Sequence, residues 1–455
     1  MPSKEVFAQS EASLFAYKSL HFFVITSPIY TYWSKTKTEF YEIRSFSLNC
    51  IKHFYNLRSN LRTTVRNFKQ NYHYLMKKIA FTFVTMLTIS LLQAQQIKIG
   101  DNAGTVTFEE YEPKSTLVVP GKTITRAKFP FIDVHNHQWE MNSKENLTKI
   151  ITEMDKMNMG LMVNLSGRGF NQDEAKSTAG LVGMISAVKA NNPTRFAVFT
   201  NIDFSKINEP NWTAKAVKML EDDVKLHGAK GLKIYKSLGF SVKDNGKLVP
   251  VDDARIDPIW AKAGELGIPV LIHTADPASF WNPLNAQNER WLELKTHPGR
   301  KRDAAEGKDY SWEQLIEQQH NVFRKHPKTT FINAHMGWYP NNLAKLDSLM
   351  EAFPNMYAEI GAVIAELGRQ PRMAKKFFEK RQDRILFGKD SWVPDEYQTY
   401  FRVLESEDEY FPYHKKYHAY WRMYGMGLSD EILKKVYYKN ALKIIPGLDK
   451  SQFPK

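Results

Sequence analysis

Residues 130–137 read PFIDVHNH, an apolar run that closes on two histidines one residue apart. Seven more runs of the same kind follow it. They are GLMVNLS at 160–166, RFAVFTNID at 195–203, KGLKIY at 230–235 and IPVLIHT at 268–274. The rest are TTFINAH at 329–335, MYAEIG at 356–361 and RILFGKD at 384–390. Each is short and apolar almost throughout, the pattern of a strand covered on both faces in a parallel sheet. Between them lie segments with helical spacing, such as 146–157, 212–226, 256–266, 312–326, 343–353 and 374–381. A last helix is expected over 429–444, after an insertion at 397–427 rich in Tyr, Phe and Trp. Eight buried strands alternating with helices predict an α/β fold, a (β/α)8 TIM barrel over residues 129–448.

Upstream, residues 95–128 alternate at Thr105–Phe108 and Thr116–Val119, which predicts a small N-terminal β appendage. Residues 76–94 begin Met76-Lys77-Lys78, continue apolar from Ile79 to Leu92 and end at Ala94. A basic start, a short apolar stretch and a small residue make a secretory signal peptide. The run falls short of the ~20 residues a membrane span needs. Such a signal works at a chain terminus, so translation is expected to begin at Met76, with residues 1–75 an upstream extension. The expected location is the periplasm or outside the cell, with no stable membrane anchor after cleavage.

The formal charge is +14, but residues 1–75 carry ten Lys/Arg and four Glu, and Lys77 and Lys78 follow. That leaves about +6 spread over the remainder, with no dense basic stripe, so nucleic acid is not an expected partner. A small-molecule substrate is expected, and a homo-oligomer is left open. The one cysteine, Cys50, lies in the upstream extension. Any metal must therefore be held by His, Asp, Glu or a modified Lys.

Barrels of this kind carry their chemistry where strands end and βα loops begin. Strand 1 ends in His135 and His137, strand 5 in His273, strand 6 in His335 and strand 8 in Asp390. His135 and His137 fall on one side of an extended chain, because side chains alternate with period two. An isolated His-x-His in a strand is more often structural than functional. Four of the 13 histidines at one end of the barrel, with a carboxylate, are a different matter. Three imidazoles and a carboxylate suit zinc or a similar divalent ion and leave room for water. The metal lowers the pKa of that water toward ~7, and a carboxylate can move its proton.

On these residues the sequence resembles the amidohydrolase superfamily, more narrowly its amidohydrolase-related metal hydrolases and decarboxylases. The matching stretches are FIDVHNH, LIHTADP, FINAHMG, ILFGKDSW and the closing YKNALKIIPGL, which contains Asn440. The resemblance implies that His135, His137, His273 and Asp390 bind metal. It implies that Asp390 also shuttles the proton and that His335 orients water or polarises the substrate. One departure is Lys389, where the group has Ser or Thr; strand alternation turns that position away from the metal. Lys233, at the end of strand 4, resembles lysines that are carbamylated and bridge two metals in some branches. One ion is expected, or two if Lys233 is carbamylated; the unmodified ammonium would instead bind substrate, with a purely structural role as the third reading.

The long loop after strand 5, residues 274–310, holds Trp281, Asn282 and the basic run His297-Pro298-Gly299-Arg300-Lys301-Arg302. Arg300 and Trp281 are candidate substrate contacts, against the plain alternative of a solvated charged loop. The aromatic insertion at 397–427 is expected to be a lid or an oligomer contact. The expected activity is cleavage of a small ester, lactone or amide by a metal-bound hydroxide. Non-oxidative decarboxylation at the same metal site is the alternative, and a non-catalytic periplasmic binding barrel is the third reading.

Overall fold

The computed structural model of the chain describes residues 104, 106–107, 110–304, 308–418 and 420–454. The upstream extension and the signal segment at 76–94 lie outside the described residues. Among those described, no helix is long and apolar enough to cross a membrane.

Eight parallel strands alternate with helices, as the apolar runs predict. They are β1 (Phe131–Asn136), β2 (Met159–Asn164), β3 (Phe196–Val198 and Thr200–Asn201), β4 (Leu232–Ile234) and β5 (Val270–Ile272). β6 (Phe331–Asn333), β7 (Met356–Glu359) and β8 (Ile385–Leu386) complete the set. Neighbours in sequence are neighbours in the sheet. β3 changes partners at Phe199, whose N–H donates to Asn164 of β2, while the Thr200 N–H donates to Gly231 beside β4. The first strand meets the last: the Val134 N–H donates to the Phe387 carbonyl at 3.0 Å. This is a (β/α)8 barrel.

Register puts Val270, Phe331 and Met356 at one level across β5, β6 and β7. Every β-strand residue from β1 to β8 is buried, which explains the lack of alternation in the sequence. Side-chain caps fix where the helices begin. Ser143 accepts from Asn146 N–H ahead of Lys144–Met157, and Asp173 from Lys176 N–H ahead of Glu174–Asn191. Ser311 and Gln314 form a reciprocal capping box at Trp312–Lys325. The last helix runs as Asp430–Lys434, a wide turn at Lys435–Lys439, and Asn440–Ile444. Within it Asn440 donates to the carbonyls of Gln382 and Ile385, tying the C-terminus to β8.

Two expectations need correction. Among the described residues, 106–107 and 110–128 form no strand. Alternation there has no partner strand to pair with, and Val118 is 99% exposed. The segment runs instead as a strap, with Lys122 N–H on Asp408 and Glu112 on Lys416. The aromatic insertion is likewise no simple lid. Its helix Tyr397–Glu405 is core: the Phe401 ring lies 5.4 Å from Phe131, and Tyr397 stacks on Phe387. Burial of each such ring contributes ~1.5–3 kcal/mol.

Candidate metal centre

The strand ends converge as the spacing predicts. His135 Nε2 lies 3.2 Å from Asp390 Oδ1, and His137 Nε2 lies 3.6 Å from the same oxygen. Ligands ~2.0–2.2 Å from a tetrahedral ion sit about 3.3–3.6 Å apart, so these three atoms are spaced for one metal. The group His135, His137 and Asp390 is one that could hold an ion.

Hydrogen bonds decide which ring nitrogens are free. His135 Nδ1–H donates to Glu359 Oε1 at 2.9 Å, since an ionised carboxylate can only accept. His137 Nδ1 lies 2.9 Å from Ser166 Oγ and 3.1 Å from the Tyr235 hydroxyl. His335 Nδ1–H donates to the Gly361 carbonyl at 2.7 Å, which leaves its Nε2 as an acceptor. The atom facing that acceptor, at 3.3 Å, is His273 Nδ1. His273 must therefore carry its proton on Nδ1, and its Nε2 keeps a bare lone pair. That Nε2 is buried and has no hydrogen-bond partner. His135 on β1 and His273 after β5 thus offer Nε2 lone pairs, the form a divalent cation binds, while the hydroxyls beside His137 Nδ1 fit either of its tautomers. An orphaned buried acceptor of this kind fits a metal.

The electrostatics agree. Burial and the Lys233 charge push His135 down, but Glu359 and Asp390 outweigh them and leave it above its usual range. The same carboxylate field favours a cation at Nε2. Burial raises Asp390, yet His135, His335 and His137 win and hold it far below the carboxylate range, ionised. Burial is the main reason that His137 falls to about 2 and that His273 falls well below 6.5, so both stay neutral.

Lys233 lies inside the cluster, fully buried, with Nζ 3.2 Å from His135 Nε2. Lys389 turns away, as alternation requires: its Nζ meets Ser391 and, at 2.5 Å, Glu396. The two loop candidates are not brought to the cluster. Trp281 donates to the Tyr310 carbonyl and packs near Phe240. Arg300 pairs with Glu293 at 2.7 Å. Its loop is not simply solvated either. Arg290, Glu293, Glu366 and His418 form a buried charged network that ties it to the insertion.

Two carboxylates escaped the sequence reading. Glu359, ending β7, accepts from His135 and from the N–H groups of His335 and Gly361. Burial raises it, but the contacts to His135 and His335 hold it near 2. Asp133 accepts from His135 N–H, Lys389 N–H, Asn136 and the Tyr397 hydroxyl, pinning β1 to the exit of β8. The signal for both was a carboxylate inside an otherwise apolar strand.

The backbone at this end is strained. His335, Met336, Gly337 and Trp338 all have positive φ, between 53° and 62°. Ala275, Ala362 and Asp390 do too, at the exits of β5, β7 and β8. Left-handed residues other than Gly cost about 1–2 kcal/mol each, and such strain gathers at functional sites.

A family model described as Amidohydrolase matches residues 132–446. A comparison with curated proteins finds no match. Among solved structures, 2,6-dihydroxybenzoate decarboxylase from Rhizobium is 14% identical, with 70% of this chain and 98% of that chain covered and a TM-score of 0.45. A dihydroxybenzoic acid decarboxylase from Polaromonas, with bound manganese and 2-nitroresorcinol, is 15% identical over 70% and 96%, with a TM-score of 0.46. A 4-oxalomesaconate hydratase from Rhodopseudomonas palustris is 14% identical over 70% and 95%, with a TM-score of 0.42.

Proposed function

We propose a reaction from one plain premise: this chain belongs to the amidohydrolase family. It is an enzyme of that superfamily, and its His/Asp cluster suits a divalent metal. His135, His137, His273 and Asp390 would hold the ion. Bound there, it would polarise a substrate oxygen or lower the pKa of water. Imidazoles with one carboxylate favour zinc over magnesium or calcium, and manganese is the alternative.

The reading that the side chains support best is non-oxidative decarboxylation of a small carboxylic acid. The observation that carries it is the place of Lys233, whose Nζ lies 3.2 Å from His135 Nε2. When the bond to the carboxyl carbon breaks, CO2 leaves and the electron pair stays on the neighbouring carbon. That carbon needs a proton, and Lys233 is a buried donor within the cluster. Asp390 stays ionised and positions the substrate. This reverses the order expected from the sequence, where hydrolysis came first, because the sequence could not place Lys233 against His135.

Hydrolysis of an ester, lactone or amide is the second reading, and the same lysine supports it under one change. A carbamylated Lys233 would be an anion beside His135, suited to two cations ~3.5–4 Å apart. Asp390 would then take and return the proton. The apolar segment at 76–94 supports export, so the substrate would be met outside the cytoplasm.

The test pairs metal analysis with two assays on metal-loaded protein. One follows CO2 release from hydroxylated aromatic and unsaturated acids; the other follows acid release from esters, lactones and amides. Decarboxylation predicts near one metal per chain, and CO2 release that Lys233→Met removes while the metal stays. Near two metals, with turnover of esters, lactones or amides, would favour hydrolysis. A metal-loaded protein inert in both assays would reject both readings.

A further inference from the structure

A second cluster on the same rim is not used by this chemistry. Lys236 lies two residues beyond β4, and Asp276 lies four beyond β5. Asp276 is buried, and its two oxygens hold different cations. Oδ1 accepts from Lys236 Nζ at 2.6 Å. Oδ2 accepts from Arg302 Nη2 at 2.5 Å and from Arg302 Nε at 3.1 Å. The Asp276 carbonyl is fixed as well, by the indole N–H of Trp312 at 3.1 Å. One carboxylate against two cations leaves a net charge of +1. Lys236 is 40% exposed and keeps N–H groups free for a ligand.

The surroundings suit a substrate. Arg302 stands 4.3 Å over the Phe240 ring, and Phe240 lies 6.1 Å from Trp281. Charge and aromatic surface therefore meet at the strand exits, the face of the barrel that carries the metal cluster. Lys236 lies three residues beyond Lys233, at the exit of the same strand. Two cations on one carboxylate, one of them half-exposed, leave positive charge to meet an anion arriving from outside.

We propose that Lys236 and Arg302, held by Asp276, bind a substrate carboxylate that is not the group cleaved. The substrate class is then a small organic acid whose anchoring carboxylate is set apart from the reacting carbon. The assignment rests on the reaction taking place at the His135–Asp390 cluster. Asp276 is a positioning residue, and Trp281 lines the wall through Phe240 rather than by touching the cluster.

Calorimetric titration tests this without turnover. The probes are the dicarboxylates glutarate and isophthalate, against the monocarboxylates butyrate and benzoate. Each is titrated into metal-loaded and into chelator-stripped protein. At least one dicarboxylate is expected to bind metal-loaded wild type roughly 10-fold more tightly than its monocarboxylate. Lys236→Met and Arg302→Met should each remove that preference, Lys236→Arg should restore it, and monocarboxylate affinity should move by less than about twofold. Stripped protein should keep the part of dicarboxylate binding that depends on Lys236. Failure of the metal reading would show separately, as loaded and stripped proteins that bind alike. No dicarboxylate preference in wild type, or the same preference in both Met variants, would overturn the proposal. An equal loss for both ligand types, which marks general damage to the site, would also count against it.

Discussion

Glu359 Oε1 lies 2.9 Å from His135 Nδ1, and that contact turns His135 Nε2 toward Asp390. The carboxylate does for β1 what no residue of β1 can do for itself. It fixes the tautomer and the ring plane of a candidate ligand from two strands away in the closed sheet. Partners of this kind typically account for 10–100-fold in metal affinity. Glu359→Gln keeps the size but removes the charge, so the metal dissociation constant should rise by about that factor. Competition with a chelating dye measures it. Unchanged affinity would mean that Glu359 supports the fold alone.

Gly388 sits where β8 meets this pair. A Cβ there would fall 2.3 Å from Glu359 Oε2 and 3.0 Å from His135 Cβ. Glu359 cannot swing aside without releasing three donors. Gly388→Ala should therefore lower stability by about 1–3 kcal/mol and weaken metal binding as well. Gly183→Ala is the control. It lies in the helix Glu174–Asn191 with nothing within 4 Å of the new Cβ, and should gain about 0.5–1 kcal/mol. Denaturant melts of the two variants should move in opposite directions.

Stability should fall on mild acidification. Burial is the main reason that His320, His414 and His418 drop from 6.5 to about 4 in the folded chain. Between those values the unfolded chain binds protons that the folded chain refuses. The stabilisation is complete above about pH 6.5 and is lost as pH falls toward 4. Glu293 extends the slope. Burial raises it, but His418 and Arg290 hold it at about 2, so its share is lost between about 4.5 and 2. Melting temperature against pH in metal-free protein measures the effect. His320→Phe should flatten the curve above pH 4, because His320 packs among aromatic rings such as Phe353 and can be replaced by another. An equally steep curve in that variant would assign the slope to other groups.

The barrel was legible because burial on both faces leaves eight apolar runs with no alternation, and helices between them. The grouping of His135, His137 and Asp390 was legible because strand ends place them on one rim whatever the loops do. What escaped depends on pairs far apart in sequence. Glu359 and His135 are 224 residues apart, and nothing local marks them as partners. The basic run at 297–302 shows the same limit. It offers Arg300, Lys301 and Arg302 without saying which one turns inward; Arg300 goes to Glu293 and Arg302 to Asp276. Alternation at 116–119 failed as a strand signal because a strand needs a neighbour, and the segment has none.

The most direct test of the account is the metal content of purified protein, wild type against His135→Ala/His137→Ala, by elemental mass spectrometry after growth with zinc and manganese. The account predicts at least one divalent ion per folded wild-type chain and a loss of most of it in the double variant, whose melt stays cooperative. A folded wild type that takes up no metal even on reconstitution, or a double variant that keeps its full complement, would contradict it.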